Sequence, residues 1–284
     1  MIDQYVVIGH PVEHSQSPFI HAEFARQTGQ ALHYGRLLCP LDGFEASLRD
    51  FARGGSAGPA RGCNVTLPFK FDALRLCTRS SERAALAGAA NLLRLDDAVW
   101  YGDNTDGAGL VRDIEQGAGT LLAGRKLLVA GAGGAAAGVL GPMLARRPAL
   151  LVLANRSLGK AQALVARHRA TAEAVGCELR AAGLDDCGTG FDVLVNATAT
   201  SLQGAASPVN ASVLGTGSLA IDLMYGAAAA PFLAWARQHG ATPRDGLGML
   251  VEQAAEAFEL WRGVRPQTAP VLAALRQRLA NPAK

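Results

Sequence analysis

The sequence predicts an α/β fold in two domains. At 284 residues the chain is long enough for two hydrophobic cores, and its 49% hydrophobic and 18% charged residues are ordinary for a globular protein. Short apolar runs alternate with helical segments along most of the chain, which is the pattern of repeated strand–helix units. A glycine-rich turn at residues 131–136, between an apolar run and a helical segment, predicts a second strand–helix domain.

Composition and charge exclude several classes of protein. The formal net charge is +3 and the 27 lysines and arginines are scattered, so neither nucleic acid nor a membrane surface is expected as a partner. Residues 1–9 lack a signal-peptide pattern, and no segment reaches the roughly 18 apolar residues that a membrane span needs. The five cysteines contain no C-x-x-C pair, which argues against a disulfide framework and a zinc site. We therefore expect a cytoplasmic protein with reduced thiols and no metal.

The first predicted helix presents two serines. Tyr5–Ile8 is a β-rich run, and Ser17 followed by Pro18 predicts a helix that continues to Thr28, with Ser17 as its N-cap. Ser15 and Ser17 then lie beside the free N–H groups of the helix N-terminus, where a carboxylate can bind. The alternative is that both serines only cap the helix.

A lysine stands at an unusual helix position. Residues 62–70 predict a strand end that runs into a helix beginning near Pro68. Asn64 and Thr66 share one face of the strand by alternation. Lys70 falls in the first turn of the helix, where the dipole disfavours a cation, so its placement indicates a functional role. The alternative is an ordinary solvated lysine.

The rest of the first domain continues the strand–helix rhythm. The predicted elements are a strand over Leu32–Leu38, a helix over Asp42–Phe51, a helix near Arg79–Leu86, strands over Gly88–Arg94 and Ala98–Gly102 around an Asp96-Asp97 turn, and a helix over Gly109–Gln116. The polar cluster at residues 103–107 precedes that last helix and marks the crossing into the second domain. Its two carboxylates can also be simple turn chemistry.

The second domain opens with a strand, a glycine turn and a helix, read as LLVAGAGGAAAGVL at residues 127–140. Gly131 permits the tight turn, Gly133 lets the backbone approach a pyrophosphate, and Ala136 allows the helix to pack closely on the strand. The N–H groups of the helix then face the phosphates. The pattern predicts a dinucleotide site in a doubly wound sheet, although an ordinary βα turn can also produce it.

The end of the next strand indicates which dinucleotide binds. Leu150–Ala154 is followed by Asn155, Arg156 and Ser157, where an NAD-binding unit would carry an acidic residue for the ribose 2′-hydroxyl. A guanidinium instead matches a 2′-phosphate through bidentate, charge-assisted hydrogen bonds. The sequence therefore predicts NADP(H). The alternative is that Asn155 and Ser157 cap a helix starting near Leu158 and that Arg156 is merely solvated.

The strand–helix alternation continues to the end of the chain. Strands are predicted over Asp192–Asn196 and Leu219–Met224, and helices over Phe232–His239, from the turn at 245–249 to Trp261, and over Thr268–Ala280. A doubly wound sheet builds its site at the carboxyl ends of its strands. The residues that follow these two strands are therefore candidates for the site.

With these elements placed, the chain resembles the shikimate dehydrogenase family from end to end. The residues that carry the resemblance are HSQSPFIH (14–21), NVTLPFK (64–70), GAANLL (88–93), GDNTDG (102–107), GAGGAA (131–136), NRS (155–157), NAT (196–198), DLMY (222–225) and DGLGMLVEQA (245–254). Each motif alone is weak, and their combination is specific.

The resemblance implies how the two domains divide the work. Residues 1–106, completed by helices at 246–284, would form an α/β substrate-binding domain, and residues 107–245 a Rossmann-type domain for NADP(H), with the cleft between them. Two departures, GAANLL without a Thr after its Asn and APFL at 230–233 without a Thr before its Pro, lie away from the catalytic residues. A third, NATAT without a Ser after NAT, bears on cofactor affinity near the nicotinamide.

The resemblance also implies roles for individual residues. Lys70 and Asp106 would be the catalytic pair, and Ser15 and Ser17 would hold the substrate carboxylate. The residues that would bind the ring hydroxyls or line the pocket are Asn64, Thr66, Asn91, Tyr225 and Gln253. Those that would bind the cofactor are Gly131, Ala132, Gly133, Gly134, Ala135, Asn155, Arg156, Ser157, Gly246, Leu223 and Glu82.

The activity that the resemblance implies is the reversible NADPH-dependent reduction of 3-dehydroshikimate to shikimate, a step towards chorismate and the aromatic amino acids. Hydride transfer to a ketone creates alkoxide character, so the site needs a proton donor or cation, which Lys70 can be. Asp106 would hold the ammonium and a neighbouring hydroxyl in place. The alternatives are a dehydrogenase for a related ring acid such as quinate or aminoshikimate, and a non-catalytic NADP-binding sensor. We expect a monomer or homodimer whose partners are small molecules.

Overall fold

Two six-stranded sheets, each packed against helices, account for most of the chain in the computed structural model. The structure describes residues 1–96, 99–198, 200 and 206–281. These residues form two compact units, one of residues 1–109 and 251–284 and the other of residues 110–250. The second unit is thus an insertion in the sequence of the first. The first unit resumes at residue 251, within the next-to-last helix of the chain.

Strands and helices alternate through both units. The elements up to residue 112 are β1 Asp3–Gly9, α1 Ser17–Thr28, β2 Leu32–Leu38, α2 Phe44–Ala52, β3 Ala60–Val65, α3 Lys70–Leu76, β4 Arg79–Ser80, α4 Glu82–Ala87, β5 Leu92–Asp96, β6 Val99–Asp103 and α5 Asp106–Arg112. The later elements are β7 Lys126–Ala130, α6 Gly134–Leu144, β8 Leu150–Ala154, α7 Leu158–Val175, β9 Glu178–Ala182, β10 Phe191–Asn196, β11 Leu214–Asp222, α8 Ala230–Gln238, β12 Thr242–Arg244, α9 Leu247–Arg262 and α10 Thr268–Ala280.

The sheet of the first unit is mixed. Its strand order is β2-β1-β3-β5-β6-β4, with β1, β2 and β3 parallel and β5 antiparallel to both of its neighbours. Ile8, Cys63 and Val65 project from these strands into a core that also contains Phe44 and Phe69, whose rings stack with centroids 4.8 Å apart. Because the parallel strands end at one edge of the sheet, the polar residues that follow β1 and β3 lie at that edge.

The sheet of the second unit is parallel throughout. Its strand order is β12-β11-β10-β7-β8-β9, so the order reverses between β7 and β10. This is the predicted doubly wound arrangement of Rossmann type, in which ligands bind at the carboxyl ends of the strands beside the reversal. The strands are buried runs such as LLVLA in β8, as a sheet covered on both faces requires.

Most predicted elements are confirmed, and the differences have local causes. Residues 79–80 pair with β6 as a short strand rather than starting a helix. The helix begins only at Glu82, because Ser81 is its N-cap and accepts a hydrogen bond from Ala84 N at 3.1 Å. In the first helix Ser17 is the first helical residue rather than the N-cap, which is Gln16. The helix predicted over Gly109–Gln116 already begins at Asp106.

Two edge strands, β9 and β12, were not predicted. Both are short, at five and three residues, and neither carries the apolar pattern of a central strand. Each forms because it hydrogen-bonds to the adjacent strand nearer the sheet centre, β9 to β8 and β12 to β11. The turn predicted between β5 and β6 lies partly outside the described residues, at 97–98.

Two further observations concern the chain as a whole. None of the helices in the described ranges is both long enough and apolar enough to span a bilayer. The five cysteines are all free thiols, and four of them are buried.

Candidate functional site

A buried ion pair lies at the centre of the polar cluster in the first unit. Lys70 is the first residue of α3 and Asp106 the first residue of α5, and their side chains are 12% and 6% exposed. The Lys70 ammonium donates to Asp106 Oδ2. The position of Lys70 opposes its own helix dipole, whereas Asp106 sits where a carboxylate is stabilised, so the anion offsets the cost of the cation.

Asn91 connects this pair to two other parts of the chain. Its Nδ2 donates to Asp106 Oδ1 at 2.7 Å and lies 3.2 Å from Gln253 Oε1 on α9. Its Oδ1 accepts from the backbone N–H of Thr105 at 2.8 Å, which sets the orientation of the amide. The structure therefore brings together Lys70, Asn91, Asp106 and Gln253, although up to 183 positions separate them in the sequence.

A second group joins Asn64 to the same cluster. The Tyr34 hydroxyl donates to Asn64 Oδ1 at 2.7 Å, and Asn64 Nδ2 donates to the carbonyl oxygen of Asn91 at 3.3 Å. At the start of α1, Ser15 Oγ donates to Ser17 Oγ at 3.2 Å and accepts from Ser17 N at 3.3 Å. The two hydroxyls are thus adjacent at a helix N-terminus, where an anion is favoured.

Thr66 reaches the edge of the sheet differently from the prediction. β3 ends at Val65, so Thr66 lies one residue beyond the strand on which the prediction places it. Instead its N–H donates to Ile8 O at 3.0 Å, and its methyl carbon would lie 2.2 Å from a Cβ added to Gly9. Only glycine permits this close approach, which places half-buried Thr66 against the end of β1.

The glycine turn of the second unit has the geometry of a phosphate loop. Gly131 has φ +115°, and an added Cβ would lie 2.8 Å from the carbonyl group of Ala197, so glycine is required there. A Cβ added to Gly133 would meet nothing within 4 Å, so the loop faces open space. The first turn of α6, at residues 134–136, contains no acidic residue, and its N–H groups have no intrahelical acceptors. The residues present therefore fit a diphosphate.

A cation stands at the end of β8. Arg156 is exposed and forms no ion pair with any residue in the described ranges. Asn155 Nδ2 donates to Ser157 O at 2.9 Å, and Ser157 precedes α7 without making a side-chain cap bond. Ser157 therefore occupies the N-cap position of α7, as the alternative expects, but does not cap the helix through its side chain, and the exposed Arg156 is available for an anion.

Leu223 and Gly246 meet at the end of β11. A Cβ added to Gly246 would lie 2.3 Å from Leu223 O, and Leu223 N donates to Asn196 O at 3.0 Å. Beside them, Asn196 Nδ2 donates to Asp222 Oδ2 at 3.2 Å, and both side chains are buried. This pair holds the carboxyl ends of β10 and β11 together.

Two predicted site residues belong to a different unit from the other residues predicted to bind the same ligand. Glu82 is an exposed residue of the first unit, whereas the remaining cofactor candidates belong to the second. Tyr225, a substrate candidate, belongs to the second unit and is half-buried just after β11. The NATAT departure concerns Ala199, which lies outside the described residues.

Sequence reasoning missed Tyr34, Thr105 and Arg83. Thr105 is fully buried, and its hydroxyl lies 3.3 Å from Gln253 Oε1; its place in the GDNTDG motif could have indicated it. Tyr34 lies in a strand with no signal beyond an aromatic residue. Arg83 is one of several arginines in a polar segment of the sequence. Only its partners in the structure, Asp103 and Glu256, distinguish it from the others.

A buried histidine next to this site makes stability depend on pH. His21 on α1 stacks on Tyr34 with ring centroids 4.2 Å apart, and burial lowers its pKa to about 3. Because the unfolded chain binds the proton with a pKa near 6.5, stability is fully present above that pH and is lost as the pH falls from about 6.5 towards 3.

Replacing His21 with phenylalanine should therefore flatten the acid limb of stability. Between pH 7 and pH 5 the parental free energy of unfolding should fall by about 2 kcal/mol more than that of His21→Phe, measured by urea denaturation. The control is His239→Gln, at an exposed histidine. In this variant the free energy of unfolding should fall between pH 7 and pH 5 by the same amount as in the parent. Equal pH dependence in the parent and His21→Phe would show that His21 is not held neutral.

The chain is similar to known proteins over nearly all of its length. The family model described as the shikimate dehydrogenase substrate binding domain matches residues 7–93, and that of the shikimate 5'-dehydrogenase C-terminal domain matches residues 246–276. The shikimate dehydrogenase (NADP(+)) of Methylibium petroleiphilum is 63% identical over 276 residues, covering 96% of this chain and 94% of the relative.

Solved structures are also similar to this chain. An Ael1 enzyme from Pseudomonas putida is 46% identical and superposes with a TM-score of 0.85, covering 96% of this chain and 98% of the other. Shikimate 5-dehydrogenase from Thermus thermophilus, in complex with NADP(H) and shikimate, is 29% identical with a TM-score of 0.80, covering 98% of this chain and 100% of the other.

Proposed function

The chain belongs to the shikimate dehydrogenase family, and from this membership we propose that it catalyses the reversible NADPH-dependent reduction of 3-dehydroshikimate to shikimate. The observation that carries the proposal is the buried Lys70–Asp106 ion pair, with Asn91 and Gln253 in hydrogen-bonding contact around it. A chain that only sensed NADP would have no use for a buried ammonium beside a ring-binding cluster.

The first unit would hold the ring acid. Ser15 and Ser17 offer two hydroxyls and the N–H groups of α1 to the carboxylate. Lys70 would donate a proton from Nζ to the carbonyl oxygen while Asp106 fixes the ammonium and accepts from an adjacent hydroxyl. The residues that would bind the ring hydroxyls or line the pocket are Asn64, Thr66, Asn91, Gln253 and Tyr225.

The second unit would hold NADP(H). Residues 131–135 would bind the diphosphate, and Arg156, with Asn155 and Ser157, would bind the 2′-phosphate. Leu223 and Gly246 would bind the nicotinamide end. Glu82, a residue of the first unit, would also contribute to cofactor binding. When bound, the nicotinamide supplies the hydride. The role of the chain is to stabilise the developing charge on oxygen, and Lys70 is the cation available for this.

The setting of the enzyme follows from the same features. We propose a cytoplasmic protein, since its five thiols are free and the reaction uses a soluble dinucleotide and a small acid. It would work as a monomer or homodimer, because the residues proposed for both ligands come from one chain.

The test is NADP(+) reduction followed by absorbance with shikimate and quinate side by side, each with NADP(+) and NAD(+). We expect rapid turnover with shikimate and NADP(+), and much slower turnover in the other three combinations. Faster turnover with quinate would reassign the substrate. Binding of NADPH without turnover of either acid would favour the sensor.

A further inference from the structure

A second buried carboxylate lies three residues before Asp106. Asp103 is 2% exposed, and its two oxygens accept from Arg83 Nε and Nη2 at 2.7 and 2.9 Å. The Ser81 hydroxyl and the Asn104 N–H donate to the same carboxylate at 2.5 and 2.6 Å. Four donors therefore fix this side chain, and the bidentate guanidinium supplies the charge that balances it.

The turn that follows this carboxylate leads directly into α5. Asn104, the next residue, donates from Nδ2 to Ala89 O at 2.9 Å, and its Oδ1 accepts from the N–H of Asp106 at 3.2 Å. The backbone from Asp103 to Asp106 is thus held at both ends of a short turn. A shift of Asp103 would be transmitted directly to the carboxylate that binds Lys70.

The same guanidinium also reaches α9. Arg83 Nη1 donates to Glu256 Oε1 at 2.9 Å, and Glu256 lies one helical turn after Gln253. Gln253 in turn contacts Asn91, which donates to Asp106. One arginine therefore ties together the two segments whose side chains converge on Asn91.

The charges in this network are compensated. Burial alone would raise the pKa of Glu256, but hydrogen bonds and positive charge from Arg83 and Arg265 outweigh it and lower the pKa. Arg83 thus stands between two anions, Asp103 and Glu256. Asp103 and Asp106 thus have separate cations, Arg83 and Lys70, although they lie three residues apart in one turn.

We infer that Arg83 is a positioning residue for the Lys70–Asp106 pair, an inference that rests on the proposed function. It holds the turn that carries Asp106 and the helix that carries Gln253 in one geometry, and it neutralises the carboxylate nearest to that turn. Misplacement of a catalytic group by about 1 Å can cost on the order of 10²-fold in rate, so loss of Arg83 reduces turnover without removing any group that touches substrate.

The test compares Arg83→Gln and Arg83→Lys with the parent. For Arg83→Gln we expect kcat with shikimate and NADP(+) to fall by about 10- to 100-fold, with the Kd of NADP(+) unchanged in a fluorescence titration. Arg83→Lys keeps the charge and should recover part of kcat. Rates are taken per folded site and well below the melting temperature, so that lower stability alone does not change them.

Arg262→Gln is the matched control. Arg262 also forms an ion pair from α9 within the first unit, with Asp3, and its side chain is 17% exposed. Its contacts run to Asp3, Tyr5 and Gln30, away from the turn that carries Asp106. The variant should lower Tm while leaving kcat at the parental value.

If Arg83→Gln does not fold, Asp103→Asn removes the same charge pair with an isosteric side chain and is expected to lower kcat by about 10-fold.

Parental kcat in folded Arg83→Gln or, where that variant is unfolded, in Asp103→Asn would overturn the inference and leave Arg83 a purely stabilising residue. An equal fall of kcat in Arg262→Gln would also overturn it, because the effect would then follow from general destabilisation. Failure of the parent to turn over shikimate would instead contradict the proposed function.

Discussion

Replacing Lys70 with alanine should lower kcat for the shikimate reaction by about 10²-fold or more, with a much smaller change in KM. In the proposed mechanism the ammonium of Lys70 would meet the reacting oxygen mainly as charge develops, so its removal should affect the transition state more than the bound substrate. Steady-state kinetics in both directions measure this. Lys126→Ala, at an exposed lysine of the second unit, is the control and should leave kcat unchanged.

Asp106 and Lys70 should behave as one unit. Asp106→Asn removes the anion that holds the ammonium and should also lower kcat sharply, and the double variant should lose less than the two single variants combined. A folded Lys70→Ala protein that binds NADPH and reduces 3-dehydroshikimate at the parental rate would falsify this mechanism. It would also reopen the possibility of an NADP sensor.

The second large effect concerns the choice of dinucleotide. Arg156→Ala should weaken NADP(+) binding by roughly 1.5 to 3 kcal/mol, the value of a hydrogen bond to a charged group, or about 10- to 150-fold in Kd. NAD(+) lacks the 2′-phosphate, so its Kd should remain the same. Titration of both dinucleotides into the parent and the variant by calorimetry measures the change in preference.

Arg169 offers a matched comparison for this experiment. It is an exposed arginine on α7, the helix that follows Arg156, and lies about three turns into that helix, too far along it to share a 2′-phosphate with Arg156. Arg169→Ala should leave both affinities at parental values. An Arg156→Ala protein that retains the full preference for NADP(+) would show that another group selects the phosphate.

Features that depend on neighbours in the sequence could be predicted from the sequence. The glycine turn at 131–136, the position of Arg156 after β8 and the position of Lys70 in the first turn of a helix follow from local patterns of size, polarity and capping. Such patterns act over one turn of helix or one strand. They were sufficient to predict the doubly wound sheet, whereas the family followed from the resemblance that the motifs carry together.

Only the tertiary structure decided which distant residues meet. Asn91 and Gln253 are 162 positions apart, and Arg83 and Glu256 are 173 apart, yet the fold brings the residue before β5 and the helix α4 within hydrogen-bonding distance of α9. The edge strand β12 forms only because β11 offers unpaired hydrogen-bonding groups. The sequence by itself determined the chemistry that each segment carries, whereas packing determined how the segments combine, because a contact between remote segments depends on the whole core rather than on either segment alone.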